Sequence, residues 1–200
     1  MKKALLDELA TSIKMQEKRL EELRQLYASV KENDINDVST LTDRNFFVYW
    51  KSKNAQEKAI PIQNYIINKL GLTGVPASEG HGDAKGEETY YEIKCSFLNK
   101  DNRLNIRQIR LYQNNDYYIC CFVNEDDLQN SVVYLLTHQQ MKKEVELNGG
   151  FTHGTKDANE DNKKPEYSLT VEPYNTASAK TQRWEQYKSN HLKELIFGKC

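Results

Sequence analysis

The chain has 200 residues, 28% of them charged, with a formal net charge of −1 and a mean hydropathy of −0.81. That length supports one domain, or one domain with an arm, and a sizeable core. No apolar run approaches the ~20 residues needed to cross a bilayer, and the near-neutral balance excludes a uniformly basic nucleic-acid coat while leaving room for local patches. Met1-Lys2-Lys3-Ala4-Leu5-Leu6 runs directly into Asp7 and Glu8, so a signal peptide is not expected and the cytoplasm is the expected location. The four cysteines, Cys95, Cys120, Cys121 and Cys200, show no Cys-x-x-Cys spacing. They read as reduced structural thiols and not as a zinc site.

Leu6, Leu9, Ile13, Gln16, Leu20, Leu23, Tyr27 and Val30 recur at alternating spacings of three and four. This predicts a long amphipathic N-terminal helix over 1–33, whose narrow apolar seam fits a partner helix or the body of the protein. Two copies of the chain, a homodimer, are the expected use of the seam. The next apolar stretch, Ile60 to Leu70, predicts a helix stopped by Gly71, with Pro61 either starting or kinking it. Asn54 and Glu57 have the spacing of a capping box at its start.

The most informative segment is Gly82 to Ser96. Residues 90–97 alternate, with Tyr91, Ile93, Cys95 and Phe97 on one parity and Tyr90, Glu92, Lys94 and Ser96 on the other. A period of two predicts a strand in which Glu92 and Lys94 share a face while the odd residues are buried. If Asp83 lies on a preceding strand that turns through Gly86, its carboxylate folds back beside Glu92. Two carboxylates then need a cation between them, and hard oxygen ligands with open positions suit Mg²⁺. The pattern alone also fits a solvent-facing hairpin with a cross-strand Glu–Lys pair.

Asn105 to Tyr112 places Ile106, Ile109 and Tyr112 or Gln113 at helical spacing and predicts a short helix, which Asn105 and Gln108 can cap. The runs Tyr117–Val123 and Val132–Leu136 predict strands buried on both faces, bounded by polar turns. Residues 148–156 read as a glycine-rich loop leading, through a polar stretch to Pro165, into a strand at Tyr167–Val171. Arg183 and Trp184 are expected to open a final helix with Trp184, Tyr187, Leu192 and Leu195 or Ile196 in the core. The domain plan is an arm (1–33), a core (34–147) and a C-terminal extension (148–200).

Asp83, Glu92 and Lys94 resemble the Asp…Glu-x-Lys motif of the PD-(D/E)XK nuclease superfamily, and the small size is most similar to a type II restriction endonuclease. The resemblance covers roughly residues 54–136, with Gly82 standing where the motif's name has a proline. It implies an α/β (α+β) fold with a mixed central sheet flanked by helices. It further implies Mg²⁺-dependent, sequence-specific hydrolysis of double-stranded DNA, with Mn²⁺ able to substitute for Mg²⁺. Asp83, Glu92 and the main-chain carbonyl of Ile93 would hold the ion, and Lys94 would position or activate the attacking water. Glu57 could supply a third acid and Gln108 could face the reactive phosphate.

Arg107, Arg110, Lys180 and Arg183, with His153, Thr155 and Lys156 of the glycine-rich loop, are the expected DNA contacts. A restriction enzyme further implies a cognate DNA methyltransferase as a functional, not physical, partner. A repair or recombination nuclease of the same fold is one rival; a non-catalytic coiled-coil adaptor is another.

Overall fold

The computed structural model describes residues 11–18, 20–21, 24–25, 43–54, 57–76, 78–97, 103–151 and 164–198. The chain divides into two compact units, residues 1–61 and 62–200. Residues 164–198 and the central strands belong to the second unit.

In the first unit, residues 11–18 form the helix α1, and residues 20–21 and 24–25 are also helical. Its seam residues Ile13 and Leu20 are 54% and 50% exposed. Leu6, Leu9, Leu23, Tyr27 and Val30 lie outside the described residues. A helix that the sequence did not announce, α2 (Asp43–Lys51), buries Phe46, Phe47 and Trp50. The Trp50 indole Nε1 donates to the Lys58 carbonyl at 3.0 Å, and the Lys58 ammonium lies 4.9 Å from the ring centre. Asn54 and Glu57 exchange backbone-to-side-chain hydrogen bonds at 3.2 and 3.1 Å, the reciprocal geometry of a capping box. Helix α3 (Ala59–Lys69) follows and continues into the second unit, with Pro61 in its first turn, where a missing N–H breaks no helical bond.

The second unit contains a five-stranded mixed sheet and a three-stranded antiparallel one. The strands are β1 (Thr73–Gly74), β2 (Ala84–Gly86), β3 (Thr89–Phe97), β4 (Leu104–Ile109), β5 (Tyr117–Val123), β6 (Val132–Thr137), β7 (Gly150–Phe151) and β8 (Tyr167–Val171). Their orders are β1-β2-β3-β5-β6 and β4-β8-β7. Only the β3–β5 pair is parallel, in the register Glu92 to Tyr118 and Lys94 to Cys120. Helix α4 (His138–Asn148) is capped by Thr137 and Gln140 in a reciprocal box. The chain ends in α5 (Ala179–Trp184), a 3₁₀ turn (Glu185–Tyr187) and α6 (Asn190–Phe197). Trp184 therefore closes a short helix instead of opening a long one. Trp184, Tyr187 and Ile196 are buried as expected, and Leu195 is exposed.

Paired residues on neighbouring strands project from the same face, so Glu92 and Lys94 share a face with Tyr118, Cys120 and Phe122. The main core lies there: Leu104, Ile106 and Ile109 of β4 and Leu169 and Val171 of β8 pack with Tyr118, Cys120, Phe122, Tyr134 and Trp184. The even face of β3 is consequently covered, and Glu92 is as buried as Ile93. The expected division into a buried odd face and an open even face does not hold, because the second sheet overlies the acidic side.

The second sheet also corrects the helix expected at 105–112. Residues 104–109 are a strand paired with β8, in which Ile106 faces Leu169 and Ile109 faces Tyr167. Three steps on β4 match two on β8, which defines a bulge, and Gln108 takes a left-handed φ of 54°. The extra residue turns Ile106 and Ile109 to the same side, so a bulged strand imitates the three-residue spacing of a helix. Asn105 caps nothing: its N–H donates to the Ser96 hydroxyl at 3.1 Å and its carbonyl oxygen Oδ1 accepts from the Thr170 hydroxyl at 2.9 Å.

Candidate active site

Asp83 and Glu92 meet through the β2–β3 hairpin, whose register of Ala84 to Tyr91 and Gly86 to Thr89 sets residue 83 opposite residue 92. The turn is made by Glu87 and Glu88, with Glu87 at φ 48°, so the reversal falls one residue beyond the expected Gly86. Gly82 has a separate role. A Cβ at that position would stand 2.4 Å from the Tyr91 carbonyl oxygen and 2.9 Å from the Glu92 nitrogen, so only glycine lets the two backbones approach this closely.

Asp83 is fixed at both ends. Its carbonyl oxygen accepts from the Val75 N–H at 2.9 Å, and its Oδ2 accepts from the Ile93 N–H at 2.8 Å. In a strand the N–H and C=O of one residue project to the same edge, so the Ile93 carbonyl points toward the edge that Asp83 caps.

Glu92 is only 3% exposed, and its Oε1 lies 2.5 Å from the Lys94 ammonium. Burial raises its carboxyl above the ordinary glutamate value; the Lys94 charge opposes the rise, the neighbouring Asp83 carboxylate adds to it, and Arg110 also counteracts it. The three expected residues and Arg110 thus act on one another electrostatically. Two acids and two cations in a partly desolvated site can exchange the lysine for a hard divalent ion. Among the described residues, no three His, Cys, Asp or Glu side chains form a group able to hold a metal. An ion here would rest on the two carboxylates and the Ile93 carbonyl, with water or substrate oxygens completing its shell. Few carboxylates and several waters are what Mg²⁺ accepts, so the donors fit.

The other expected site residues fall as follows. Gln108 and Arg107 are exposed on the β4 bulge. Arg110 donates through Nε to Glu166 at 2.8 Å. Glu57 is engaged in its cap. Lys180 donates to the Thr170 carbonyl at 3.0 Å. Arg183 is committed to the interior: its Nε and Nη2 donate to Glu144 at 2.8 Å each, and Glu144 accepts in addition from Trp184 Nε1 at 2.9 Å and Tyr187 at 3.2 Å. His153, Thr155 and Lys156 lie outside the described residues. Cys95, Cys120 and Cys121 are free thiols, as expected, and no described helix is long and apolar enough to cross a membrane.

One feature beside the site escaped the sequence altogether. A cleft of about 400 Å³ opens where β3 and β5 begin, lined in part by His81, Tyr90, Asn115 and His138. These residues come from two loops, the start of β3 and the start of α4, and only the strand register joins them. The Asn114-Asn115-Asp116 run reads in sequence as an ordinary turn.

No family model matches this chain, and no curated protein matches its sequence.

Proposed function

We propose that this chain is a Mg²⁺-dependent, sequence-specific DNA endonuclease of the PD-(D/E)XK type, acting as a type II restriction enzyme. The observation that carries the reading is a buried carboxylate, Glu92, ion-paired with Lys94 and set by hairpin register opposite Asp83. The mixed sheet flanked by helices is compatible with the restriction-endonuclease fold. A divalent ion bound here would supply positive charge to a phosphoryl oxygen and lower the pKa of a water. Asp83 and Glu92 hold the anionic side of the site, and the Asp83–Ile93 hydrogen bond fixes the strand edge that presents the Ile93 carbonyl. Lys94, paired with Glu92 in this structure, would orient the attacking water or neutralise charge developing on the phosphate. Arg107 and Gln108, exposed on the bulge, are the backbone contacts best placed to remain free for DNA.

The test is incubation of the purified protein with mixed phage and plasmid DNA, with Mg²⁺ or with EDTA, followed by sequencing of the ends. Discrete fragments with Mg²⁺ and none with EDTA are expected, and Asp83→Ala and Lys94→Ala should each lower the rate by at least about 100-fold. Intact duplex beside cleaved branched or flapped DNA would favour a repair enzyme. No cleavage of any nucleic acid would sink the nuclease reading. The half-exposed Ile13 and Leu20 support a homodimer through the N-terminal helix, since a palindromic site is cut by two copies of one active site. Sedimentation of the Leu20→Asp variant should then show a monomer beside a wild-type dimer.

A further inference from the structure

The cleft at the start of β3 and β5 gathers buried polar groups. Asn115 is 4% exposed, and neither its amide nitrogen nor its amide oxygen makes a hydrogen bond of normal geometry, the Tyr118 hydroxyl being a polar neighbour of its side chain. The Gln113 amide oxygen is likewise buried without a hydrogen bond of normal geometry. Native interiors rarely leave one such group unsatisfied, let alone a cluster. Asn115 and Gln113 are both lining residues of the cleft.

The walls narrow the choice of occupant. The His81 ring stacks on Tyr90 with centres 4.1 Å apart and planes 16° from parallel, giving a flat aromatic plate. Nδ1 of His81 faces the Asn114 carbonyl at 3.0 Å and Nδ1 of His138 faces the Asn115 carbonyl at 3.1 Å. A carbonyl only accepts, so each Nδ1 carries a hydrogen, and in that tautomer Nε2 is the ring's acceptor. Glu88 and Asp116 make the remaining lining acidic, which disfavours phosphate and favours an uncharged planar group bearing an amine.

We propose that this cleft is an adenine-reading pocket. The side-chain amide of Asn115 would pair with N6 and N7, the bidentate match of asparagine to adenine. The remaining acceptors favour an exocyclic amine over the carbonyl at the same position of guanine, and the His81–Tyr90 plate would take the base face by stacking. The inference rests on the nuclease reading for its purpose: Tyr90 stands two residues before Glu92, and Tyr118 pairs directly with Glu92. A base held here would belong to a nucleotide near the scissile phosphate.

The experiment needs no catalysis. Deoxyadenosine, deoxyguanosine, deoxycytidine and thymidine are titrated against the full chain in EDTA, followed by the Asn115 side-chain amide signal and the histidine ring signals in NMR. Deoxyadenosine should bind at least about tenfold more tightly than the other three, and Asn115→Ala should remove that margin. His81→Ala should instead weaken all four by a similar factor. Failure of every nucleoside to move the Asn115 amide, as expected if an ordered water satisfies it, would overturn the proposal; so would equal or tighter binding of deoxycytidine, or binding unchanged in Asn115→Ala. Mg²⁺-dependent cleavage without nucleoside binding sinks the pocket and keeps the nuclease. Adenine-selective binding without cleavage keeps the pocket and sinks the nuclease.

Discussion

Gly82 decides where the first acid stands. The backbone of residue 82 runs against the Tyr91 carbonyl with no room for a side chain, and Asp83 is thereby pressed onto the edge of β3, where its Oδ2 takes the Ile93 N–H. Gly82→Ala should lower stability by about 1–3 kcal/mol, the usual range for forcing a group into packed structure, and the proposed cleavage should fall with it; chemical denaturation and a cleavage assay measure both. An unchanged midpoint would mean that the two backbones part without penalty. The pair Glu92–Lys94 was legible in sequence because strict alternation puts residues two apart on one face. Its burial was not legible, since the cover comes from β4 and β8, and no pattern within residues 90–97 records what lies above them. Asn115 was hidden for a related reason: a polar residue before an apolar run is the ordinary signature of a turn.

At the level of elements, the sequence was clearest where burial is two-sided and local. Tyr117–Val123 and Val132–Leu136 are strands as their continuous apolar runs require, and Tyr167–Val171 is one too. It misled at β4, where the bulge at Gln108 reproduces helical spacing, and it was silent at α2, whose Phe46-Phe47-Val48-Tyr49-Trp50 run favours strand on intrinsic preference and becomes helical only through the burial of its aromatics. The bulge makes a testable demand. Gln108 occupies a conformation that costs a non-glycine residue roughly 1–2 kcal/mol, partly offset in glycine by a larger loss of chain entropy. Gln108→Gly should therefore raise stability by up to about 1 kcal/mol in urea denaturation, and Gln108→Val should lower it. A less stable glycine variant would assign the side chain a part in holding the bulge.

For the molecule as a whole, the tightest polar anchor is far from the acidic site in sequence. Glu144 of α4 is fully buried. Burial alone would push its carboxyl upward, but the hydrogen bonds from Arg183, Trp184 and Tyr187, with the Arg183 charge, outweigh it and leave it lowered. A carboxyl lowered by folding contributes stability that is fully present above the unfolded glutamate value and is lost as pH falls through the folded one. Glu144→Gln should be less stable than the wild type by about 3 kcal/mol at neutral pH, and the gap should close as denaturation is repeated at progressively more acidic pH. A gap constant from neutral to strongly acidic conditions would show that the carboxylate charge is not what ties α4 to α5.

The pairing of β4 with β8 joins residues 104–109 to residues 167–171, whereas the hairpin that carries Asp83 and Glu92 closes within ten residues. Short loops form early and distant pairings late, and a chain leaving the ribosome presents its earlier segments first. The two acids should therefore be assembled while the sheet that shields Glu92 is still being synthesised. Nascent protein would hold a half-made, water-flooded acid pair until residues 167–171 emerge, a delay during which it carries the motif without the burial that sets the Glu92 carboxyl.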